Sequence, residues 1–177
     1  MTQGTRTFRE GIVLGIIGYA TVAAFFAIFD FLAARGTLFT VNLLGQTVFR
    51  GVRDPAVLQL PIPLDMVAIG LFNALHLVAS LTIGLIVAWL VAHLEGPPAQ
   101  RRLAWLLIGA GFFVTIFGIG LLSASFRALL PFWSVVLANV AAVIVGGVWM
   151  LRHHPRALAS LRHVLPTSAA GGAAHTE

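Results

Sequence analysis

The chain of 177 residues is 59% hydrophobic and only 10% charged, and its formal net charge at pH 7 is +5. A soluble domain carries about 25% charged residues, so this composition excludes an ordinary soluble globular protein. The chain has no cysteine and no lysine, which excludes disulfides, thiolate metal sites, iron–sulfur clusters, covalent c-type haem and lysine-based covalent catalysis.

Four long apolar stretches fill most of the chain. A helix of about 20 apolar residues crosses the hydrocarbon core of a bilayer. The stretches extend over Gly11–Ala34, Met66–His93, Leu103–Phe126 and Phe132–Leu151. We therefore predict an all-α integral membrane four-helix bundle, preceded by a short N-terminal segment (1–10) and followed by a basic tail (152–177). The first stretch exceeds the roughly 7–15 apolar residues of a signal peptide, so we expect it to be retained as a span.

The connection between the first two spans is the longest one, and residues 40–53 have helical periodicity. Thr40 is a residue type that begins helices well. One side of the predicted helix is apolar and the other polar, with Val41, Leu44, Val48 and Val52 opposite Asn42, Gln46, Arg50 and Arg53. We predict an amphipathic helix in the outer membrane interface. It serves either as a lid over the bundle or as a docking surface or gate. A shorter pattern of this kind recurs in the tail, over residues 156–165.

The arginines are unequally divided between the two sides of the predicted bundle. The side with both termini carries Arg6, Arg9, Arg101, Arg102, Arg152, Arg156 and Arg162, and the other side carries Arg35, Arg50, Arg53 and Arg127. The positive-inside rule then predicts that both termini are cytoplasmic. Arginines that flank spans bind anionic lipid headgroups, so lipid is an expected partner and nucleic acid is not.

Small residues recur at every fourth position within the spans and predict packing seams. They are Gly11, Gly15, Ala23 and Ala27 in the first span, Ser80, Gly84, Ala88 and Ala92 in the second, Gly111, Thr115 and Gly118 in the third, and Ala138, Ala142 and Gly146 in the fourth. Helices associate in lipid by close backbone approach, which small residues permit. These faces therefore contact protein, in this chain or in another one.

His76 is the most informative polar residue, because ionisable side chains within a span are costly and often functional. It shares a helix face with Ser80 and Gly84, and Asn73 lies on the same face. One interpretation is a neutral imidazole that bonds across the bundle to Thr115 or Asn139. The other is a contact from His76 and Asn73 to a cofactor, whether haem, a chlorophyll-type pigment or a quinone. No cofactor is favoured, and His93 lies roughly 25 Å along the helix, too far to share a haem.

Three further polar residues are expected to have structural roles. Asp30 lies near the outer end of the first span and requires a cation. Arg35 and Arg127 are on the same predicted side, and Arg127 is the preferred partner because it joins two helices. Asn139 and Asn73 are predicted to form hydrogen bonds between helices, each worth about 0.6–2 kcal/mol.

The remaining histidines give no metal motif. His153 and His154 follow Arg152 at the end of the fourth span, where contact with lipid headgroups is the more ordinary role. The sequence contains no zinc motif, phosphate-binding loop or nucleophile–histidine arrangement. We therefore expect neither a metal site nor enzymatic activity.

Several short phrases of the sequence resemble a group of small four-span membrane proteins of high-GC bacteria. They are Phe29–Asp30, Thr40–Gly45, Ala74–His76 and Ala138–Asn139. This resemblance implies the four-span architecture and draws attention to Asp30, His76 and Asn139, but it implies no activity.

Three functions from different classes are compatible with the sequence. The first is a non-catalytic accessory subunit of a larger membrane complex, respiratory or photosynthetic, or a protein that associates with itself. The second is an electron-transfer protein that contacts a quinone or another cofactor at His76. The third is a small transporter, although transporters commonly have internal repeats or broken helices, which the sequence does not clearly contain.

Overall fold

The computed structural model describes residues 3–52, 62–94, 97–122, 124, 127 and 129–154. This part of the chain forms five α-helices and no strand. Their bounds are α1 Gln3–Leu32, α2 Phe39–Arg50, α3 Met66–Leu94, α4 Pro98–Leu122 and α5 Phe132–His153. The sequence placed the beginning of α1 later and the end of α4 later than the structure does. The predicted tail helix, and the extended connection before residue 62, lie outside the described residues.

Four of the helices are long and apolar enough to cross a membrane, namely α1, α3, α4 and α5. Large apolar side chains cover their outer surfaces, with Val114 71% exposed and Leu121 79% exposed on α4 alone. A surface of this kind is stable in lipid and not in water. The protein is therefore an all-α, multi-pass membrane protein, which confirms the predicted fold class.

Glycines bring α1 and α3 into backbone contact. A methyl group added to Gly15 would lie 2.6 Å from the Cα atom of Leu81, and one added to Gly11 would lie 2.8 Å from that of Leu85. A methyl group on Gly84 would overlap the backbone of Gly11 and Gly15 directly. Because backbone atoms cannot move aside as side chains do, only glycine fits at this crossing. Three residues of the predicted seams, Gly11, Gly15 and Gly84, are thereby confirmed as contacts between the first two spans.

The other two spans pack less evenly. On α5, Gly146 faces the side chain of Leu14 of α1, and Ala138 is fully buried. The helix α4 packs mainly on α3 and only slightly on α5. Its Gly111 and Gly118 have no neighbouring atoms within 4 Å of an added methyl group. The seam predicted on the third span is therefore not used within the described part of the chain.

The helix α2 covers the end of the bundle at which α1 ends and α3 begins, and we call this end the lid end. Leu43 is fully buried and packs with Phe39 and Ile62, while Leu44 packs with Leu130 and other residues of a second small core. The opposite end, where α1 begins and α5 ends, is called the termini end. A separate core of α3, α4 and α5 side chains closes the termini end.

The predicted amphipathic helix is present, but its faces differ from the prediction. Asn42, expected to face water, is 1% exposed, whereas Val48, expected on the apolar side, is 36% exposed. The N-cap is Leu38, which makes no side-chain capping bond, and Thr40 lies inside the first turn. Thr40 does not cap α2 with its own side chain because the cap comes from a different helix. Gly51 ends α2 in the left-handed conformation, with φ of 69°.

Candidate functional site

Asp30, the last buried residue of α1, binds the beginning of α2. Its Oδ2 atom accepts the backbone N–H of Thr40 at 2.6 Å, and its Oδ1 atom accepts the Thr40 hydroxyl at 2.8 Å. Asp30 is only 1% exposed. The first N–H groups of a helix have no partner within the helix, and their dipoles favour a negative charge. The carboxylate thus caps α2 from the end of the preceding membrane span.

The cation that pairs with Asp30 is Arg35, with an N–O distance of 3.0 Å. The preference for Arg127 was wrong: its side chain is exposed and forms no ion pair with Asp30. Arg35 returns to Asp30 because Ala34 adopts a left-handed conformation, with φ of 54°, directly after α1. The guanidinium also donates to the carbonyl of Leu129.

Aromatic rings hold the same guanidinium from two further directions. The Cζ atom of Arg35 lies 4.4 Å from the ring centroid of Phe39 and 5.0 Å from that of Phe29. Cation–π contacts of this geometry are worth about 0.5–2 kcal/mol, depending on exposure. Arg35 therefore joins α1, the first turn of α2 and the connection before α5.

A second polar group fixes the other half of α2 to the beginning of α3. The Asn42 amide donates to the carbonyl of Pro63 at 3.0 Å, and its oxygen accepts the backbone N–H of Asp65 at 3.0 Å. Gln46 donates to the same carbonyl at 2.9 Å. These side chains satisfy backbone groups of a non-helical segment, which explains why the polar side of α2 faces the protein.

Asp65 completes this group as the cap of α3. Its Oδ1 atom accepts the N–H of Ala68 at 2.9 Å, and its Oδ2 atom accepts the Arg50 guanidinium at 2.8 Å. The hydrogen bond from Arg50, assisted by the Ala68 N–H, lowers the pKa of Asp65 below its ordinary value. The same hydrogen bond raises the pKa of Arg50. Gly45 allows α2 to approach closely here, since an added methyl group would lie 2.6 Å from the Ala68 carbonyl oxygen.

The polar residues predicted within the second span are grouped with a tyrosine of α1. The Tyr19 hydroxyl donates to the Asn73 side-chain oxygen at 3.0 Å. The ring centroid of His76 lies 5.2 Å from that of Tyr19 and 6.4 Å from that of Phe72. The predicted pairing of Asn73 across helices is confirmed, and Tyr19 is the partner that the sequence analysis missed. The signal was present, because Tyr19 is the only tyrosine of the chain.

His76 does not bond to either predicted partner. The Thr115 hydroxyl donates to the Gly111 carbonyl at 2.9 Å, and the Asn139 amide donates to the Val135 carbonyl at 2.8 Å, each within its own helix. The expectation of an interhelical bond from Asn139 is therefore wrong. Within the described residues, neither ring nitrogen of His76 has a hydrogen-bond partner in the protein. Its contacts are the rings of Tyr19 and Phe72.

A buried contact between Glu10 and His154, which the sequence did not indicate, joins the first part of α1 to the end of α5. The Nε2 atom of His154 lies 3.0 Å from Glu10 Oε2, and the Arg6 guanidinium lies 2.8 Å from Glu10 Oε1. Glu10 is 7% exposed and His154 is 8% exposed. His154 also caps α5 through its backbone N–H. It was expected to contact lipid headgroups, but it is a packing residue between α1 and α5.

Two tryptophan–histidine pairs of the same geometry end α3 and α5. Nδ1 of His93 lies 2.8 Å from the Trp89 carbonyl oxygen, and Nδ1 of His153 lies 2.8 Å from the Trp149 carbonyl oxygen. The ring centroids are 4.3 Å and 4.5 Å apart, respectively. Such aromatic residues are typical of the membrane–water interface. No group of three or more histidine, aspartate or glutamate side chains suited to a metal occurs among the residues described.

A scan of protein-family models and searches of curated proteins and of solved structures found no match to this chain.

Proposed function

We propose that this membrane protein is a non-catalytic accessory subunit of a larger complex in a bacterial inner membrane, with a respiratory or photosynthetic assembly as the leading candidate. The observation that supports this proposal is the outer face of α4. Gly111 and Gly118 lie on that face, which touches neither α1 nor α5 closely. By contrast, Gly11, Gly15 and Gly84 are covered by another helix.

Small residues matter for the association of helices in lipid. Lipid tails are as apolar as leucine, so association requires close backbone approach rather than burial of apolar surface. The pair Gly11 and Gly15 is in contact with Gly84, whereas the α4 glycines have open space beside them. Exposed side chains lie beside these glycines on the outer face of α4, with Val114 71% exposed and Phe117 67% exposed. A helix of another subunit fits such a surface, and a second copy of this chain is the alternative occupant.

The proposal is tested by crosslinking in native membranes. A photoreactive amino acid is placed at Val114 on the α4 face, and at Val78 on the lipid-facing side of α3 as a matched control, since Val78 is 61% exposed. The proposal expects an adduct with a different subunit from position 114 and lipid adducts alone from position 78. An adduct with the same chain would identify a homo-oligomer, and lipid adducts alone from both positions would refute the proposal.

The second candidate function is contact with a quinone or another cofactor by His76 and Asn73. It is supported by the grouping of His76 with Tyr19 and Phe72 within the membrane-crossing helix α3. A ring nitrogen with no partner in the described protein offers a hydrogen bond to a quinone carbonyl or a ligand to a metal of a haem or pigment. Extraction of the purified protein, with a visible absorption spectrum of the same sample, tests this candidate. The absence of any quinone, haem or pigment in the parent protein would remove it, as would equal amounts in the parent and in a His76→Phe variant.

The proposed topology, with both termini in the cytoplasm, is tested by labelling. Because the chain has no cysteine, one cysteine can be introduced at Gly4 or at Gly36, both of which are exposed. In spheroplasts, an impermeant maleimide is expected to label position 36 and not position 4. The reverse pattern would invert the topology.

A further inference from the structure

A groove lies between α1 and α3 at the termini end. The two helices touch at Gly11 and Gly84, whereas a methyl group added to Gly4 would meet no neighbouring atom within 4 Å. Gly4 lies about 10 Å along α1 from Gly11. The space between them has a volume of about 560 Å³, within the range of about 300–1,000 Å³ of small-molecule sites. The residues that line the groove include Gly4, Phe8, Leu85, Trp89, Ala92 and His93.

The walls of the groove are apolar and face the membrane. Phe8 is 61% exposed and Trp89 is 55% exposed, and each extends from the end of a membrane-crossing helix. A tryptophan in this position binds at the level of the lipid headgroups, with its ring toward the acyl chains. Ala92 leaves the floor of the groove open, because its side chain is a single methyl group.

His93 gives the mouth of the groove a polar edge of defined orientation. Its Nδ1 atom lies 2.8 Å from the Trp89 carbonyl oxygen, which can only accept, so Nδ1 carries the hydrogen. The other nitrogen, Nε2, has no protein hydrogen-bond partner within the described chain. The Nε2 atom of His93 therefore gives the groove a polar edge at the depth of the lipid headgroups.

The termini end of the bundle is strongly basic. The described arginines at this end are Arg6, Arg9, Arg101, Arg102 and Arg152. Arg9 directly follows Phe8 and is exposed. Of the described acidic residues, Glu10 lies at this end, and it is buried against Arg6 and His154. The surroundings of the groove therefore attract a negative charge.

We propose that this groove binds one anionic phospholipid, with an acyl chain between Phe8 and Trp89, the headgroup phosphate at Arg9, and a headgroup hydroxyl that donates to Nε2 of His93. The apolar walls account for the chain, and the basic rim accounts for the charge. A protein helix is a poorer occupant, because the groove extends only from the helix crossing to the mouth and closes at Gly11. This site is separate from the α4 face and is independent of the subunit proposal.

The test measures lipid binding to the full-length purified protein by native mass spectrometry. Delipidated protein is titrated with phosphatidylglycerol and with phosphatidylcholine of identical acyl chains. The proposal expects one phosphatidylglycerol to bind at least tenfold more tightly than phosphatidylcholine. Ala92→Leu, which fills the floor, should weaken phosphatidylglycerol binding at least tenfold, and Ala79→Leu, at an exposed position of the same helix, should not. Equal affinity for the two lipids, or equal effects of the two substitutions, would overturn it.

A second measurement requires no substitution. Phosphatidylglycerol with a photoreactive group in its acyl chain is added to the parent protein, irradiated, and located by peptide mapping. Adducts concentrated on the peptides that contain Phe8 and Trp89 support the proposal. Adducts spread evenly over all four spans would contradict it, whatever the Ala92→Leu variant does.

Discussion

The contact between Asp30 and the first turn of α2 allows the sharpest test of the fold. The change is Asp30→Asn, which preserves the size of the side chain and removes its charge. The carboxylate accepts three hydrogen bonds, two from Thr40 and one from Arg35. An asparagine has one acceptor oxygen and would direct its NH₂ group at one of these donors. At least one buried donor, on Thr40 or Arg35, would therefore lose its partner.

The expected cost follows from the exposure of the two partners. Removal of one member of a fully buried ion pair costs about 3–5 kcal/mol, and a hydrogen bond to a charged group contributes about 1.5–3 kcal/mol. Asp30 is fully buried, but the side chain of Arg35 is 21% exposed and also binds the Leu129 carbonyl. We therefore expect a loss of roughly 2–4 kcal/mol in the free energy that holds α2 on the bundle.

The assay uses a single cysteine introduced at Thr47, which is 5% exposed on α2 and lies in a chain without other cysteines. A maleimide reacts only when α2 opens, so the labelling rate reports the opening equilibrium. A loss of 2–4 kcal/mol predicts an increase of about 30- to 700-fold, since 1.4 kcal/mol corresponds to a factor of ten. Asp65→Asn, which removes the more exposed ion pair with Arg50 of α2, is the matched control and should change the rate much less.

An unchanged labelling rate in the Asp30→Asn variant, within about threefold of the parent on the same scale, would refute the reasoning. It would mean that the apolar contacts of α2 hold it without the cap. An equal rise in both variants would mean that any loss of charge at this end opens α2. Far-UV circular dichroism of each variant confirms that the four spans remain helical.

Three further predictions follow from other contacts. Gly84→Ala should destabilise the purified protein by about 1–3 kcal/mol, because the added methyl group meets backbone atoms of α1. Gly70→Ala is the control and should not destabilise it, because its methyl group meets open space. Detergent-induced unfolding compares the stability of the two variants. The lowered pKa of Asp65 means that its contribution is complete at neutral pH and is lost as the pH falls through the folded-state pKa. Hydrogen exchange of α2, expressed relative to the intrinsic exchange rate at each pH, should therefore increase modestly below about pH 4, and less so in an Asp65→Asn variant. Identical profiles of the two proteins would contradict this. Tyr19→Phe should cost about 0.6–1.7 kcal/mol, the range measured for hydrogen bonds between membrane helices, and no change would show that the bond to Asn73 contributes nothing.

The four spans and the α1–α3 seam could be predicted because both depend on local sequence. A run of apolar residues makes a span wherever it occurs, and Gly11, Gly15 and Gly84 permit close approach whatever surrounds them. The partner of Asp30 was mispredicted because Ala34 reverses the chain, and a single left-handed residue is not evident from periodicity.

The faces of α2 were mispredicted for a different reason. Periodicity assigns polar side chains to water, but Asn42 and Gln46 bind backbone groups of the segment around Pro63. That segment has no regular structure, so its unpaired carbonyl groups are not visible in the sequence. The pairing of Glu10 with His154 could not be predicted either, because it depends on the arrangement of α1 beside α5. At the site of Tyr19, Asn73 and His76, the sequence indicated the residues of α3 but not the ring that faces them.

The glycine crossing of α1 and α3 is also a point about which one helix can rotate against the other. With a rise of 1.5 Å per residue, α3 extends about 27 Å from Gly84 to Met66 and about 15 Å from Gly84 to Leu94. A rotation about the crossing therefore moves the lid end nearly twice as far as the termini end, and in the opposite direction. The caps on α2 restrain the longer part of α3, from Gly84 to Met66. The pairing of Glu10 with His154 restrains α1 near the shorter part, from Gly84 to Leu94. A small displacement between Phe8 and Trp89 would thus be amplified beneath α2.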